Sequence, residues 1–295
     1  MKKIFQYITF IIPASVLWLL SMLPFTVLYG ISNILYGILY RLTGFRKSVV
    51  RYNLSVAFPG KDSQERRHIE KKFYHHLADL FLEMIKSFSI SAEALNRHWY
   101  IENPELLDRY FDNKQSVIVM AGHQGNWEWT IGSGRQFRHQ PMVIYKKLSN
   151  PFFEKWMLRS RTKFGWDIIP TYRAKDYIHQ SETEGRPMVY GFAADQNPLP
   201  HKAKLWYPFF GKKVPWFTGA EEIARRYQLP VIFMEIVKVK RGHYKAILHP
   251  LSEPPYTASE AFPITKQYIH MLEDAIRRQP ETYYWIHKRF KHARD

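Results

Sequence analysis

The sequence predicts an α/β fold: a mostly parallel central sheet flanked by helices, preceded by an N-terminal membrane-anchoring helical segment. Three observations carry this. Short apolar runs recur between residues 117 and 248 with helix-patterned segments among them, the alternation that builds βαβ units. Residues 4–40 contain no Asp, Glu, Lys or Arg. The chain of 295 residues is 46% hydrophobic and 16% aromatic, which excludes disorder and fits one large domain with an appendage.

The anchor is assigned to residues 1–43 and the catalytic-sized domain to residues 44–295. Lys2 and Lys3 precede Ile4–Leu23, a stretch with about the length a bilayer requires. Pro24–Tyr40 follows, with Tyr29, Tyr36 and Tyr40 suited to an interface. Arg41, Arg46, Lys47 and Arg51 then place the globular body on the cytoplasmic side. A secretory signal would have a shorter apolar core and a small-residue cleavage site, and neither is evident. Buried core helices are the other reading, and the uninterrupted absence of charge favours the anchor. A single span, a hairpin broken near Pro24 and a monotopic insert all satisfy this pattern.

Asp62 and Glu65 form a capping pair ahead of Ile69, Phe73, Leu77, Leu80, Phe81, Met84, Ile85 and Phe88 at helical spacing. Glu83 and Lys86 on that helix read as ordinary helix-face charges. Strands are expected at Val117–Ala121, Met142–Tyr145, Asp167–Ile169, Met188–Ala193, Val231–Val237 and Tyr244–Leu248, the later ones open to antiparallel pairing. Helices are expected at Phe152–Phe164, Asp176–Glu184, Gly219–Tyr227 and about Ile264–Arg278. There is no internal repeat, no low-complexity linker, no P-loop and no dinucleotide glycine fingerprint.

The chemistry is concentrated after the first long strand. His123-Gln124-Gly125-Asn126-Trp127-Glu128 follows Val117–Ala121, where open α/β sheets place their ligands. A general-base histidine needs a polar partner on one ring nitrogen and an open second nitrogen. On a regular helix, residues five apart point about 140° away from each other. Gly122 and Gly125 supply a turn that would bring Glu128 back to His123. Alone, such a pair is more often structural than catalytic.

Other clusters carry both a bland and a functional reading. Lys146 follows a strand, and Arg159, Arg161 and Lys163 share a helix turn; they are either solvated helix-face cations or phosphate holders. Asp195, in Ala194-Asp195-Gln196-Asn197-Pro198, either opens a turn or joins His123 at the sheet edge. Tyr207–Gly211 with Val214–Gly219 is a packed aromatic loop or the lining of an acyl tunnel. Tyr283–Lys291 interleaves aromatics and cations, as nucleic-acid or membrane-interface segments do. The formal net charge of +17 calls for an anionic partner, and the lack of cysteine removes thiol catalysis and cysteine-based zinc sites.

Taken in order, these segments resemble the late (secondary) acyltransferases of lipid A biosynthesis, in the lysophospholipid acyltransferase superfamily, whose signature is His-x4-acid. The resemblance covers the anchor, the basic segment Arg46–Pro59, His123 with Glu128, the Asn150-Pro151 helix, Asp195, Pro208-Phe209-Phe210, and Trp285–Lys291. Two departures stand out: Asp195-Gln196 is followed by Asn197-Pro198 rather than Gly-Pro, and Lys288 stands where Arg is common. The resemblance implies a glycerolipid acyltransferase-like sheet. It implies His123 as base, Glu128 as its partner, and Arg161 and Asp195 near the site. Gly125, Asn126, Lys146 and Arg159 complete the candidates for substrate or oxyanion binding. It further implies acyl carrier protein as thioester donor and a phosphorylated lipid A precursor as acceptor. The protein would lie on the anionic surface of the bacterial inner membrane, with no cofactor, no metal and no nucleic acid. A lysophospholipid or aminolipid acceptor is the alternative within this fold, and a non-catalytic basic tether the alternative outside it.

Overall fold

The computed structural model describes residues 2–257 and 260–294. In chain order its helices are α1 (Lys2–Met22), α2 (Phe25–Tyr36), α3 (Lys47–Ala57), α4 (Ser63–Lys86), α5 (Ala92–Asn96), α6 (Glu105–Asp112), α7 (Pro151–Thr162), α8 (Ala174–Thr183), α9 (Gly219–Tyr227) and α10 (Pro263–Arg278). The strands are β1 (Trp99–Ile101), β2 (Val117–Ala121), β3 (Gln140–Tyr145), β4 (Asp167–Pro170), β5 (Met188–Ala193), β6 (Leu205–Phe209), β7 (Lys212–Trp216), β8 (Val231–Lys240) and β9 (His243–Ser252).

Seven strands form one sheet in the order β1-β9-β8-β2-β5-β3-β4. The five strands from β8 to β4 are parallel; β9 turns back antiparallel on β8, and β1 lies parallel to β9. This is the expected α/β architecture, with the late hairpin as its antiparallel part. All six expected strands form, and β2 and β5 keep the expected limits. Strand β2 sits at the centre, and Val117, Ile118, Val119 and Met120 are all buried. Helices on both faces explain why its sequence is a continuous apolar run rather than an alternating one.

Helix α4 begins at the expected capping box. Asp62 accepts from the Gln64 and Glu65 N–H groups, and Glu65 returns a bond to the Asp62 N–H. Its apolar side packs into the core through Phe73, Tyr74, Leu77 and Ala78. Helix α2 packs on α4 and buries Leu28, Ser32 and Tyr36. Helix α1 contains a 20-residue stretch, Lys3–Met22, long and apolar enough to cross a membrane. Ile4, Phe5, Ile12 and Leu19 on it are exposed.

The Tyr207 and Val214 segments form a two-stranded antiparallel hairpin, β6–β7. Phe209, Val214 and Trp216 are buried in the core below α10, so the packed reading of this loop holds. The terminal string is likewise packed inward. Trp285, Arg289 and Phe290 are buried, and the Arg289 guanidinium lies over Trp216 at 4.1 Å and donates to Asn197 and to the Pro215 carbonyl. Its aromatics hold the domain together rather than facing a nucleic acid or an interface.

Candidate active site

The site is built where β2 ends. A Cβ on Gly122 would meet a methyl of Leu272 on α10 at 2.5 Å, so any larger residue would have to displace that side chain. Gly125 takes φ +58° against Ile236 of β8, the left-handed conformation glycine adopts without steric cost. His123 stands between these two turns. Its carbonyl accepts from the Tyr284 N–H at 3.0 Å, and its own N–H donates to Asp195 Oδ2 at 3.0 Å.

Asp195 follows β5, the strand beside β2, so the two residues arrive at the same sheet edge. Its Oδ1 lies 2.6 Å from His123 Nδ1. Burial by itself pushes the imidazole pKa down. The Asp195 carboxylate outweighs this by charge and hydrogen bond, with Glu128 adding to it, and His123 lies above the ordinary histidine value. Burial raises Asp195, but the same pair overrides it and holds the carboxyl below its usual range. With the proton of Nδ1 directed at Asp195, Nε2 is the acceptor nitrogen. Gln196 Nε2 approaches it at 3.2 Å, in the place a substrate hydroxyl would take.

Glu128, expected on His123, is directed elsewhere. Residues Trp127–Arg135 form a 3₁₀ helix capped by Asn126, whose Oδ1 accepts from the Trp129 N–H at 3.1 Å. This turn sends Glu128 toward α7, where its Oε2 receives Arg161 Nη2 at 2.6 Å. The ring nitrogen that Glu128 was expected to hold is occupied by Asp195. A cavity of about 230 Å³ opens behind the pair, lined by Ile101, Val119, Val143, Trp166, Val189 and Phe192 among others. Its ionisable lining groups are His123, Glu128 and Arg161. The arrangement offers an oriented base, a cation and an apolar slot at one point.

The family model described as bacterial lipid A biosynthesis acyltransferase matches residues 2–292. The chain belongs to that family. It is therefore an acyltransferase of lipid A biosynthesis. Similar proteins include the lipid A biosynthesis lauroyltransferase of Escherichia coli strain K12, 23% identical over 94% of this chain and 89% of the relative. The palmitoleoyltransferase of the same strain and the lipid A biosynthesis acyltransferase of Shigella flexneri are each 24% identical over the same shares.

In this acyltransferase the remaining candidates separate by position. Arg161 lines the cavity; Lys146 and Arg159 are exposed and lie outside its lining. Lys163 donates to the carbonyls of Ser87, Phe88 and Ile90, and burial lowers its pKa to about 8. Gly125 and Asn126 are structural rather than substrate-facing. The Gly125 N–H already donates to the Thr282 carbonyl at 3.0 Å, and the Asn126 amide donates to Glu83 at 2.7 Å. The His123 and Gln124 N–H groups are also engaged, by Asp195 and by the Gly122 carbonyl. Among the expected groups, Arg161 is the cation that lines the cavity.

The residue that sequence reasoning misplaced is Glu83. It is buried, not a helix-face charge. Its carboxylate accepts from Asn126, from Tyr244 of β9 at 2.9 Å and from Tyr29 of α2 at 2.9 Å, while its carbonyl accepts from Trp129 Nε1. His76, two turns earlier on α4, meets the Gly125 carbonyl at 3.2 Å through Nε2. The signal was present as His76, Asp79 and Glu83 at spacings of three and four: one polar stripe within the mainly apolar second half of the helix.

Proposed function

We propose that this protein transfers a fatty acyl chain from acyl carrier protein to a hydroxyl of a phosphorylated lipid A precursor, at the cytoplasmic face of the bacterial inner membrane. The observation that carries the reading is the Asp195-oriented His123, whose Nε2, met by the Gln196 amide, lies at an apolar cavity that Arg161 also lines. Nε2 takes the hydroxyl proton as the acceptor oxygen attacks the thioester carbonyl. The new C–O bond forms, the carbonyl electrons move onto oxygen, and the Arg161 guanidinium, held by Glu128, faces that charge. Asp195 stabilises the imidazolium, as the acid does in a catalytic triad, but here there is no enzyme nucleophile. Collapse breaks the C–S bond, and the imidazolium proton passes to the departing thiolate. The step balances with these residues alone, so the acyl thioester enters as co-substrate and neither a metal nor a cofactor is invoked. The net charge of +17 supports both anionic partners, and the exposed apolar α1 supports the membrane location.

The test is transfer in membrane fractions from labelled acyl carrier protein to a tetra-acylated lipid A precursor, wild type against His123→Ala, read by mass spectrometry. A mass gain of one acyl chain that disappears in the variant supports the reading. Acylation of a lysophospholipid in place of the precursor overturns the acceptor. Transfer undiminished in His123→Ala overturns the base.

A further inference from the structure

A second cavity, of about 430 Å³, lies between α4 and α7. Phe81, Met84 and Ile85 of α4, Phe88 just after it and Met157 of α7 give it apolar walls. Glu128, Ile131 and Arg161 line this cavity and the His123 cavity alike. The Glu128–Arg161 ion pair is thus a partition between two apolar spaces, only one of which includes His123.

Helix α1 packs on both helices that frame the second space, although none of its residues is in the lining. Phe10 of α1 meets Phe153 and Trp156 of α7, and Trp156 stacks on Phe88 at 3.7 Å. Lys86 of α4 donates to the Ser21 and Leu23 carbonyls at the end of α1. One layer of aromatic side chains, Phe88 and Trp156, thus links the second cavity to the membrane-length helix, whereas the first is sunk into the end of the sheet against Val119, Val189 and Trp166.

Acyl transfer to a lipid brings two hydrocarbon chains to one imidazole, the chain in transit and a chain the acceptor already bears. We infer that the space between α4 and α7 binds an acyl chain of the acceptor, entering along α1, while the His123 cavity takes the chain being transferred. This rests on the reading of the protein as a lipid acyltransferase under Proposed function. The donor chain continues from a carbonyl that must lie within reach of His123, so it occupies the cavity that contains His123. The acceptor is a bilayer lipid, so its chain occupies the cavity framed by the two helices on which α1 packs. The shared partition places Arg161 where the two reactants converge.

Ile85→Trp and Met157→Trp fill the second cavity, and Gly191→Ala narrows the first. A Cβ at Gly191 would sit 3.6 Å from the Trp166 ring and 3.4 Å from the Met142 carbonyl, a fit without gross clash. In the full chain in membranes, the tryptophan variants should raise the acceptor KM on the order of ten- to fiftyfold, the value of two or three displaced methylenes. They should leave donor chain-length preference unchanged. Gly191→Ala should move that preference to shorter donors. Tryptophan variants that alter donor preference, or that transfer with an unchanged acceptor KM, overturn the assignment. A second measurement needs no variant: wild type should discriminate an acceptor from its analogue lacking one acyl chain, and equal KM values overturn the inference. Wild type that acylates only lysophospholipid refutes the lipid A acceptor and leaves the cavity to be tested on that lipid by the same variants.

Discussion

Asp195→Asn is the substitution that separates the two candidate partners of His123. The Asp195 carboxylate uses both oxygens as acceptors, Oδ2 from the His123 N–H at 3.0 Å and Oδ1 from His123 Nδ1 at 2.6 Å. Asparagine has one acceptor oxygen. The backbone N–H can only donate, so it claims that oxygen and turns the side-chain NH₂ toward Nδ1. The imidazole must then accept at Nδ1 and carry its proton on Nε2, the wrong tautomer for a base. A charge-assisted bond worth roughly 1.5–3 kcal/mol is lost as well. Rate losses from a tautomer reversal of this kind in other enzymes are roughly 10⁴-fold, and kcat here should fall roughly 10³- to 10⁴-fold. Glu128→Gln leaves both bonds to His123 in place and should cost far less, about ten- to hundredfold, through loosening of Arg161. The assay is single-turnover acyl transfer with both variants at equal, folded amounts. If Glu128→Gln is the more damaging of the two, with the Asp195 variant near wild type, the orientation argument is refuted.

The pH profile offers a second check: the base must be neutral, and His123 is held above the usual histidine value, so kcat/KM should rise with pH through a midpoint above about 6.5. The Asp195→Asn residual activity should titrate lower, because burial then loses its main opponent. Gly125→Ala forces a Cβ into φ +58° and to 2.7 Å from Ile236 Cγ2, and should destabilise by about 1–3 kcal/mol in thermal melts while lowering activity. Glu83→Ala strips the acceptor from Asn126, Tyr29 and Tyr244 together and should cost roughly 3 kcal/mol or more; Tyr244→Phe removes one donor and should cost about 1 kcal/mol. A thermal shift for Glu83→Ala no larger than that for Tyr244→Phe would show that the network is not cooperative.

The sheet was legible because its strands are buried on both faces and therefore announce themselves as apolar runs between turn signals, as in Val117–Ala121 and Met188–Ala193. Strand β1 was not legible: with three residues it leaves too short a pattern to read. The site was legible as a place, the end of β2, but not as a pairing. Local spacing can bring Glu128 near His123 only if the intervening turn folds back, and Asn126 capping Trp129 sends that turn the other way. Asp195 lies 72 positions along the chain, and only the adjacency of β2 and β5 makes it a neighbour. That adjacency is itself deducible in kind, since two strand ends followed by polar residues in a parallel sheet share one edge. It is not deducible in register, because β3 and β4 end at that edge too, and Tyr145 and Pro170 carry different chemistry there. The same limit hid Glu83, whose three partners come from α2, from the loop after β2 and from β9. A buried carboxylate with three donors from three distant segments leaves no local spacing to find. What remains visible is a charge where the helix pattern demands an apolar residue, and on α4 that exception marks the helix that holds the loop after β2.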